Sequence, residues 1–145
     1  MSRSIIIIAH NLRSSHNVGS LLRTADGLGV DTVYLTGYTP YPAQADDERL
    51  PHITHKLDRQ IHKTALGAEV SQKWLQADLI EPVVNQLKQQ GYSVVALEQT
   101  PTAISLPDYQ PADKLVLIVG REVEGIEAEV LALTEQQLQI PMLGQ

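Results

Sequence analysis

Two asparagines and an arginine follow the first apolar run of the chain, in the stretch Asn11–Val30. An amide can order a polar loop, whereas a guanidinium stays protonated and can stabilise an oxyanion or grip a phosphate. Asn17 precedes an apolar helical stripe, and Arg23 lies roughly opposite that stripe. The stripe comprises Val18, Leu21, Leu22, Ala25 and Leu28. Taken alone, Arg23 is explained more simply as a solvated side chain, so both interpretations stay open.

A second candidate site, Gly120-Arg121-Glu122-Val123-Glu124-Gly125, follows another apolar run. Its two outer glycines let the backbone approach a ligand closely, while Glu122 places one carboxylate. The same pattern also occurs in ordinary turns, so by itself it is a weak signal.

A basic segment lies between residues 52 and 63 of a chain whose formal net charge is -6. Its members are His52, His55, Lys56, Arg59, His62 and Lys63. Such a segment can bind phosphates on an acidic protein, or it can be the solvated face of a helix. His52 and His55 lie beside a proline in a predicted loop and are more typical of solvated histidines than of metal ligands. We therefore expect no metal site.

The composition, 43% hydrophobic and 19% charged, is typical of a soluble globular domain. Because the chain has no cysteine, disulfides, thiolate metal sites and a cysteine nucleophile are excluded. The sequence lacks GxGxxG, Walker A, HExxH and GxSxG signatures. These absences argue against a Rossmann dinucleotide enzyme, a P-loop NTPase, a zincin and an α/β-hydrolase, respectively. The apolar run Ile5–Ala9 is too short for a membrane span or a signal peptide. We expect a cytoplasmic protein without a membrane partner.

Alternating apolar strands and amphipathic helices predict a parallel α/β sheet in one domain. Strands are predicted at Ser4–His10, Thr32–Gly37, Val70–Leu75, Tyr92–Leu97, Lys114–Val119 and Leu138–Met142. Helices are predicted from Asn17 as N-cap to Gly27 or Gly29, at Leu57–Leu66, from Asp78 as cap to Gln90, and at Ile126–Leu133. The long segment Tyr38–His55 is predicted to be a functional or mobile loop. Loops 11–19, 98–106 and 120–125 should meet at one edge of the sheet.

Three motifs together resemble the SpoU (TrmH-like) branch of the SPOUT superfamily of RNA methyltransferases. The first is Asn11-x-Arg13-x-x-x-Asn17-x-Gly19-x-x-x-Arg23. The second is the strand Leu115–Val119 followed by Gly120-x-Glu122-x-x-Gly125, and the third begins at Ile140-Pro141-Met142-x-Gly144. The similarity covers nearly the whole chain, and the three motifs together are far more specific than any one of them.

This resemblance implies a single parallel-sheet SPOUT (α/β knot) domain over residues 1–145, whose C-terminal segment threads a trefoil knot. It implies S-adenosyl-L-methionine as the cofactor, bound in the knot. The implied reaction is methyl transfer to a ribose 2′-hydroxyl of tRNA or rRNA. It also implies a homodimer with the site at the subunit interface.

Site residues are carried over by motif position. The resemblance implies catalytic roles for Arg23, Asn17 and Glu122. The implied cofactor-binding residues are Leu97, Glu98, Gly120, Gly125, Ile140 and Met142. We predict RNA contacts from Arg13 in the first motif and from His55, Lys56, Arg59 and Lys63 in the basic segment.

The third motif of the family normally continues into a Ser-Leu-Asn-Val-Ser stretch and a final helix, whereas this sequence stops at Gln145. We therefore expect a knot domain that is incomplete at its C-terminal end, a shortened version of an active enzyme. We also expect it to bind S-adenosylmethionine weakly or not at all.

Two alternative functions remain from the residues. One is a non-catalytic RNA-binding protein that keeps the SpoU scaffold, and intact Arg23 and Glu122 argue against it. The other is an α/β enzyme acting on a small nucleotide, with the motif match a coincidence.

Overall fold

A seven-stranded sheet forms the centre of the computed structural model, which describes residues 3–141. The strands are β1 Ser4–His10, β2 Thr32–Thr36, β3 Trp74–Ala77, β4 Ser93–Leu97, β5 Ile104–Ser105, β6 Lys114–Val119 and β7 Gln136–Gln139. The helices are α1 Ser15–Leu28, α2 Pro51–Ala65, α3 Ala68–Ser71, α4 Ile80–Gln89 and α5 Ala128–Leu131. The strand order is β3-β2-β1-β6-β4-β7-β5, and every pair of neighbours is parallel. The predicted parallel α/β sheet is confirmed.

Helices cover both faces of the sheet, as a parallel sheet requires. On one face, Val18 and Leu22 of α1 and Ile61 of α2 pack on strands β1 and β2. On the other, α4 and α5 pack on β1, β4 and β6 around Val84 and Ile118. The continuous run of isoleucines in β1 is therefore buried from both sides, in the middle of the sheet.

The chain changes face between β1 and β6, which are direct neighbours in register. Strand β1 leads into α1 on one face, whereas β6 leads into α5 on the other. Such a reversal opens a crevice at the carboxyl ends of the two strands, and ligands of α/β proteins bind in crevices of this kind.

The start and end of α1 differ from the prediction. Ser14, not Asn17, is the N-cap, because its hydroxyl accepts a hydrogen bond from the backbone N–H of Asn17. The helix ends at Leu28, before a left-handed Gly29. Leu28 was predicted to lie on the apolar stripe, but this last residue of the helix is 77% exposed.

Helix α2 begins at Pro51, six residues before the predicted start. Proline suits the first turn of a helix, where its missing N–H costs nothing. His52 and His55 therefore lie on the exposed face of a helix and not in a loop. The long loop is correspondingly shorter and ends at Leu50.

Three further elements differ from prediction. Most of the predicted strand Val70–Leu75 is helix α3 and a turn, and β3 begins only at Trp74. Asp78 does not cap α4, whose N-cap residue is Leu79; the Asp78 carboxylate accepts a hydrogen bond from Gln76 instead. The predicted last strand ends at Gln139, and its final residue, Met142, lies outside the described residues. The knot prediction concerns the same end of the chain and stays a prediction.

Candidate active site at the carboxyl edge of the sheet

The loops after β1, β4 and β6 meet at one edge of the sheet, as predicted. Because all strands are parallel, the residues that follow them lie side by side at this edge. Side-chain contacts join the β6 loop both to the start of α1 and to the loop after β4.

The Glu122 carboxylate joins the first two sequence motifs. Its Oε1 atom accepts hydrogen bonds from the backbone N–H groups of Arg13 and Ser14, at 3.3 and 3.5 Å. Partial burial tends to raise the pKa of the Glu122 carboxyl. Hydrogen bonds from backbone N–H groups and from the Asn17 amide outweigh that effect, so the pKa lies below its usual range. Glu122 is therefore a fixed anion that orders the loop and not a proton donor.

Arg23 lies apart from Asn17 and Glu122. It is exposed on α1, six residues beyond Asn17, which is about 9 Å along a helix axis. There it lines a shallow cavity with Leu66, Gly67 and Ser71, and Ser71 donates a hydrogen bond to Asp26. Within one chain, the described structure thus brings together two of the three predicted catalytic residues and leaves the third on a neighbouring surface.

The predicted cofactor residues that are described lie around the ends of β4, β6 and β7. Glu98 Oε2 accepts a hydrogen bond from the Ile126 backbone N–H at 2.6 Å. A Cβ atom on Gly125, where φ is +77°, would meet this carboxylate oxygen at 2.0 Å. A Cβ on Gly120 would meet Ile126 Cγ1 at 2.5 Å. Both glycines are thus required by close packing of the loop itself.

Backbone pairing brings the predicted cofactor residues Leu97, Gly120 and Ile140 to neighbouring strand ends. Leu97 pairs with Leu138, and the Glu98 N–H donates to the Leu138 carbonyl at 2.8 Å. Gly120 follows β6 directly, and Ile140 follows β7 with its side chain 54% exposed. Three of the predicted cofactor residues therefore lie at the adjacent ends of β6, β4 and β7.

A buried polar cluster in the crevice between β1 and β6 is absent from the predicted site. Glu127 Oε2 accepts a hydrogen bond from Asn11 Nδ2 and lies 3.7 Å from His10 Nε2. Its Oε1 atom is buried, lies 3.8 Å from Arg121 Nε, and has no hydrogen-bond partner among residues 3–141. His10 itself is buried, and its Nδ1 atom lies 2.9 Å from Thr36 Oγ1. Only the position of His10 and Asn11 at a strand end could have indicated the cluster from sequence.

The predicted RNA contacts fall on two surfaces. Lys56, Arg59 and Lys63 line one cavity of about 500 Å³, together with His16 from α1. His55 is exposed on the same helix but does not line that cavity. Arg13 lies elsewhere, in the loop before α1, where its guanidinium pairs with Glu124 at 3.0 Å. Sequence reasoning missed His16, which the Asn17 motif places next to the basic helix.

No group of three or more potential ligands among His, Asp and Glu is placed to hold a metal ion within residues 3–141. None of the helices in that range is long and apolar enough to cross a bilayer.

Residues 4–145 match the model of the SpoU rRNA Methylase family. The chain belongs to this family. The SpoU chain is 25% identical over 145 residues to the tRNA (guanosine(18)-2'-O)-methyltransferase of Aquifex aeolicus, covering 98% of this chain and 60% of that protein.

Solved structures show the same fold. The crystal structure of the A. aeolicus TrmH/SpoU tRNA modifying enzyme matches with a TM-score of 0.78 at 20% identity, over 99% of this chain and 66% of that one. The SpoU methyltransferase AviRb from Streptomyces viridochromogenes, in complex with the cofactor AdoMet, matches with a TM-score of 0.79 at 17% identity, over 100% and 51%. The SpoU chain thus spans about half to two thirds of the length of these relatives.

Proposed function

We propose that this SpoU chain is the methyltransferase domain of an S-adenosylmethionine-dependent enzyme that methylates ribose 2′-hydroxyls of tRNA or rRNA. The observation that carries the proposal is the contact of Glu122 with the loop before α1. It joins the first two motifs of a chain that belongs to the SpoU family. Two matched relatives, a tRNA (guanosine(18)-2'-O)-methyltransferase and a SpoU methyltransferase in complex with AdoMet, support the same reaction and cofactor.

Each proposed catalytic residue has a defined task in this reaction. Bound S-adenosylmethionine supplies an electrophilic methyl group. A ribose hydroxyl is a poor nucleophile, so the enzyme must position it and stabilise the charge that grows on its oxygen. Arg23 supplies the positive charge for that oxygen. Asn17 and Glu122 fix the loop before α1, and the low pKa of the Glu122 carboxyl keeps it ionised in this role.

Cofactor binding is assigned to the ends of β4, β6 and β7. The backbones of Leu97, Gly120 and Ile140 hold the cofactor. Glu98 holds the loop after β6 by accepting a hydrogen bond from the Ile126 N–H, and Gly125 leaves room for that carboxylate. Met142 belongs to the same proposed set. The donors are mostly main-chain groups, which suits a cofactor with an aromatic base and a ribose.

We also propose a cytoplasmic homodimer. Arg23 lies away from Glu122 in one chain, on a surface that carries the exposed apolar side chains of Leu28, Leu66 and Val70. A second copy covering this surface would bury those side chains and complete the site around Arg23. RNA is assigned to Arg13 and to the basic face formed by His16, His55, Lys56, Arg59 and Lys63.

Methyl transfer is tested by incubating the full-length protein with labelled S-adenosylmethionine and unmodified tRNA or rRNA transcripts, followed by nucleoside analysis. We expect label in 2′-O-methylated nucleosides, and loss of at least about 100-fold in rate for Arg23→Ala, because one preorganised charge is worth that much. Arg3→Ala removes an exposed arginine outside the site and is the matched control.

Each outcome of that experiment decides between functions. RNA binding without label in any nucleoside would contradict the enzyme and favour a scaffold that binds RNA. Equal activity of Arg23→Ala and Arg3→Ala would remove Arg23 from the catalytic set.

A further inference from the structure

A cleft of about 410 Å³ opens at the carboxyl ends of β2 and β3, beside the loop that precedes α1. Arg13, Tyr38, Tyr41, Gln76 and Asp78 are among its walls. Neither the motifs nor the proposed catalytic and cofactor residues explain this cleft, apart from Arg13 at its rim.

Tyr38 is presented into solvent on a rigid backbone. Tyr38 is 53% exposed, which is high for a large aromatic residue beside a candidate active site. The Tyr38 N–H donates to Asn11 Oδ1 at 3.0 Å, and that oxygen occupies the space that a Cβ of Gly37 would need. Gly37 adopts φ of +66°, which favours glycine. A ligand that stacks on Tyr38 would therefore order little backbone on binding.

The far wall of the cleft is also preformed. The Arg49 guanidinium lies 3.6 Å from the centre of the Tyr41 ring and donates to the Tyr41 and Pro42 carbonyls at 3.0 Å. At the floor, Gln76 donates to Asp78 at 3.0 Å. The cleft has polar groups on three sides, which suits a nucleotide better than the apolar side chain of a protein partner.

Arg13 lines the same cleft as Tyr38 and adds a positive charge to it. The nearby Tyr38 side chain and the Glu124 carboxylate raise the pKa of Arg13. The pair with Glu124 is exposed, so it contributes little and can be exchanged for a phosphate. An aromatic ring next to a guanidinium is the arrangement by which proteins hold an unpaired nucleotide, with the base on the ring and the phosphate on the charge.

We propose that this cleft binds an unpaired nucleotide of the RNA substrate, with its base stacked on Tyr38 and its phosphate paired with Arg13. This inference rests on the proposed function, since it requires that RNA binds. It assigns to Tyr38, beside the loop of the first motif, the recognition of an unpaired base.

The test compares two short single-stranded RNAs that have the same charge, one with all its bases and one abasic. Binding of each labelled RNA is measured by fluorescence anisotropy over a range of salt concentrations. Tyr38→Ala is expected to weaken binding of the complete RNA by about 5- to 50-fold, because stacking on one aromatic ring contributes that much. It should leave binding of the abasic RNA unchanged. Tyr38→Phe should restore most of the affinity, because the ring remains.

Salt dependence separates stacking from charge. Tyr38→Ala should keep the slope of log affinity against log salt, since no phosphate contact is lost. Lys56→Ala should reduce the slope by about 0.7 if Lys56 contacts one phosphate of the strand. Leu106→Ala, an exposed residue beside β5 at the other end of the sheet, is the matched control for loss of apolar surface.

Three results have different meanings. If the wild-type protein binds neither RNA, the proposed function fails. If it binds both RNAs but Tyr38→Ala binds as well as wild type, the stacking proposal fails and the proposed function does not. Equal losses for Tyr38→Ala and Leu106→Ala would also overturn the proposal.

Discussion

Gly19 is the point of closest approach between α1 and α2. A Cβ atom there would meet Thr64 Oγ1 at 2.1 Å and the Ile61 carbonyl oxygen at 2.2 Å. The Thr64 hydroxyl in turn donates to the His16 carbonyl at 2.7 Å, so the threonine is fixed as well. The glycine of the first motif is thus explained by helix packing, because it lets α2 lie close against the first turns of α1.

Gly19→Ala is therefore expected to destabilise the protein. Overpacking at a fixed backbone costs about 1–3 kcal/mol, which exceeds the gain in helix propensity. The measurement is the midpoint of urea-induced unfolding. Gly27→Ala is the control in the same helix, where a new Cβ meets nothing within 4 Å. It should stabilise by about 0.5–1 kcal/mol. A stabilised Gly19→Ala would show that the two helices do not pack as described.

His10 gives stability a pH dependence. Burial lowers the pKa of His10; the Glu127 carboxylate acts against this effect, and Arg121 adds to it. The unfolded chain therefore takes up a proton at a higher pH than the folded chain does. Stability from this residue is full above about pH 6.5 and is lost as the pH falls toward the lowered pKa.

We expect the free energy of unfolding to fall between pH 7 and about pH 5, less steeply in His10→Gln than in wild type. Unfolding curves in urea at several pH values measure it. His52→Gln replaces an exposed histidine and should follow the wild-type profile. An identical pH profile for His10→Gln would mean that His10 does not carry the dependence.

Among single residues, the sequence predicted that the loops carrying Asn17 and Glu122 meet, because both loops follow strands that end at one edge of the sheet. The Glu127 cluster could not be predicted. It depends on which strand lies next to β1, and this neighbour, β6, is more than 100 residues away along the chain. The same holds for Tyr38, whose exposure depends on the cleft between two strands.

The Arg49 side chain anchors loop 38–50 at several points. Arg49 stacks on Tyr41, donates to two carbonyls of the loop, and pairs with the Asp47 carboxylate at 2.6 Å. The hydrogen bond from Arg49 holds the pKa of Asp47 well below its usual range. The sequence predicted a functional or mobile loop over Tyr38–His55 and did not predict this anchor. Helix α2 begins at Pro51, two residues after Arg49, and the sequence did not predict a helix there.

Arg49→Met should loosen that loop. We expect faster amide hydrogen exchange across residues 38–50 and a loss of about 1–3 kcal/mol in unfolding free energy, as for hydrogen bonds to a charged group. Arg59→Met replaces an exposed arginine on α2. It should leave amide exchange across residues 38–50 unchanged and alter the unfolding free energy by no more than about 0.5 kcal/mol. Unchanged exchange in Arg49→Met would indicate that the prolines and the other hydrogen bonds of the loop, such as Ala43 N–H to Asp58, are sufficient to fix it.

For the whole molecule, strand and helix alternation predicted the parallel sheet, and motif order predicted the family. The strand order could not be read from the pattern, since β5 is two residues long and β7 pairs with β4 across a wide sequence separation. The crevice between β1 and β6 follows from that order. The separation of Arg23 from Glu122 also follows, because α1 carries Arg23 two turns away from the sheet edge.

Because Arg23 and Glu122 lie apart in one chain, the proposed dimer predicts how mixed dimers of two variants behave. If Arg23 of one copy acts with Glu122 of the other, a mixture of Arg23→Ala and Glu122→Ala chains should regain activity that neither variant has alone. Half of the dimers in an equal mixture are mixed, and each mixed dimer has one intact site of two. The mixture should therefore reach about a quarter of the wild-type rate.

The measurement is methyl transfer after the two variants are unfolded and refolded together, with dimer formation followed by sedimentation. Each variant refolded alone is the control, and a mixture of Arg23→Ala with wild type calibrates the exchange of subunits. Glu122→Gln should also be mixed with Arg23→Ala in place of Glu122→Ala. It removes the charge but keeps the side-chain shape and an oxygen that can accept the hydrogen bonds of the loop. Activity that stays at the level of the single variants, with dimers present, would place Arg23 and Glu122 of the same chain in one site. The apolar surface around Leu66 would then form a subunit contact that has no catalytic role.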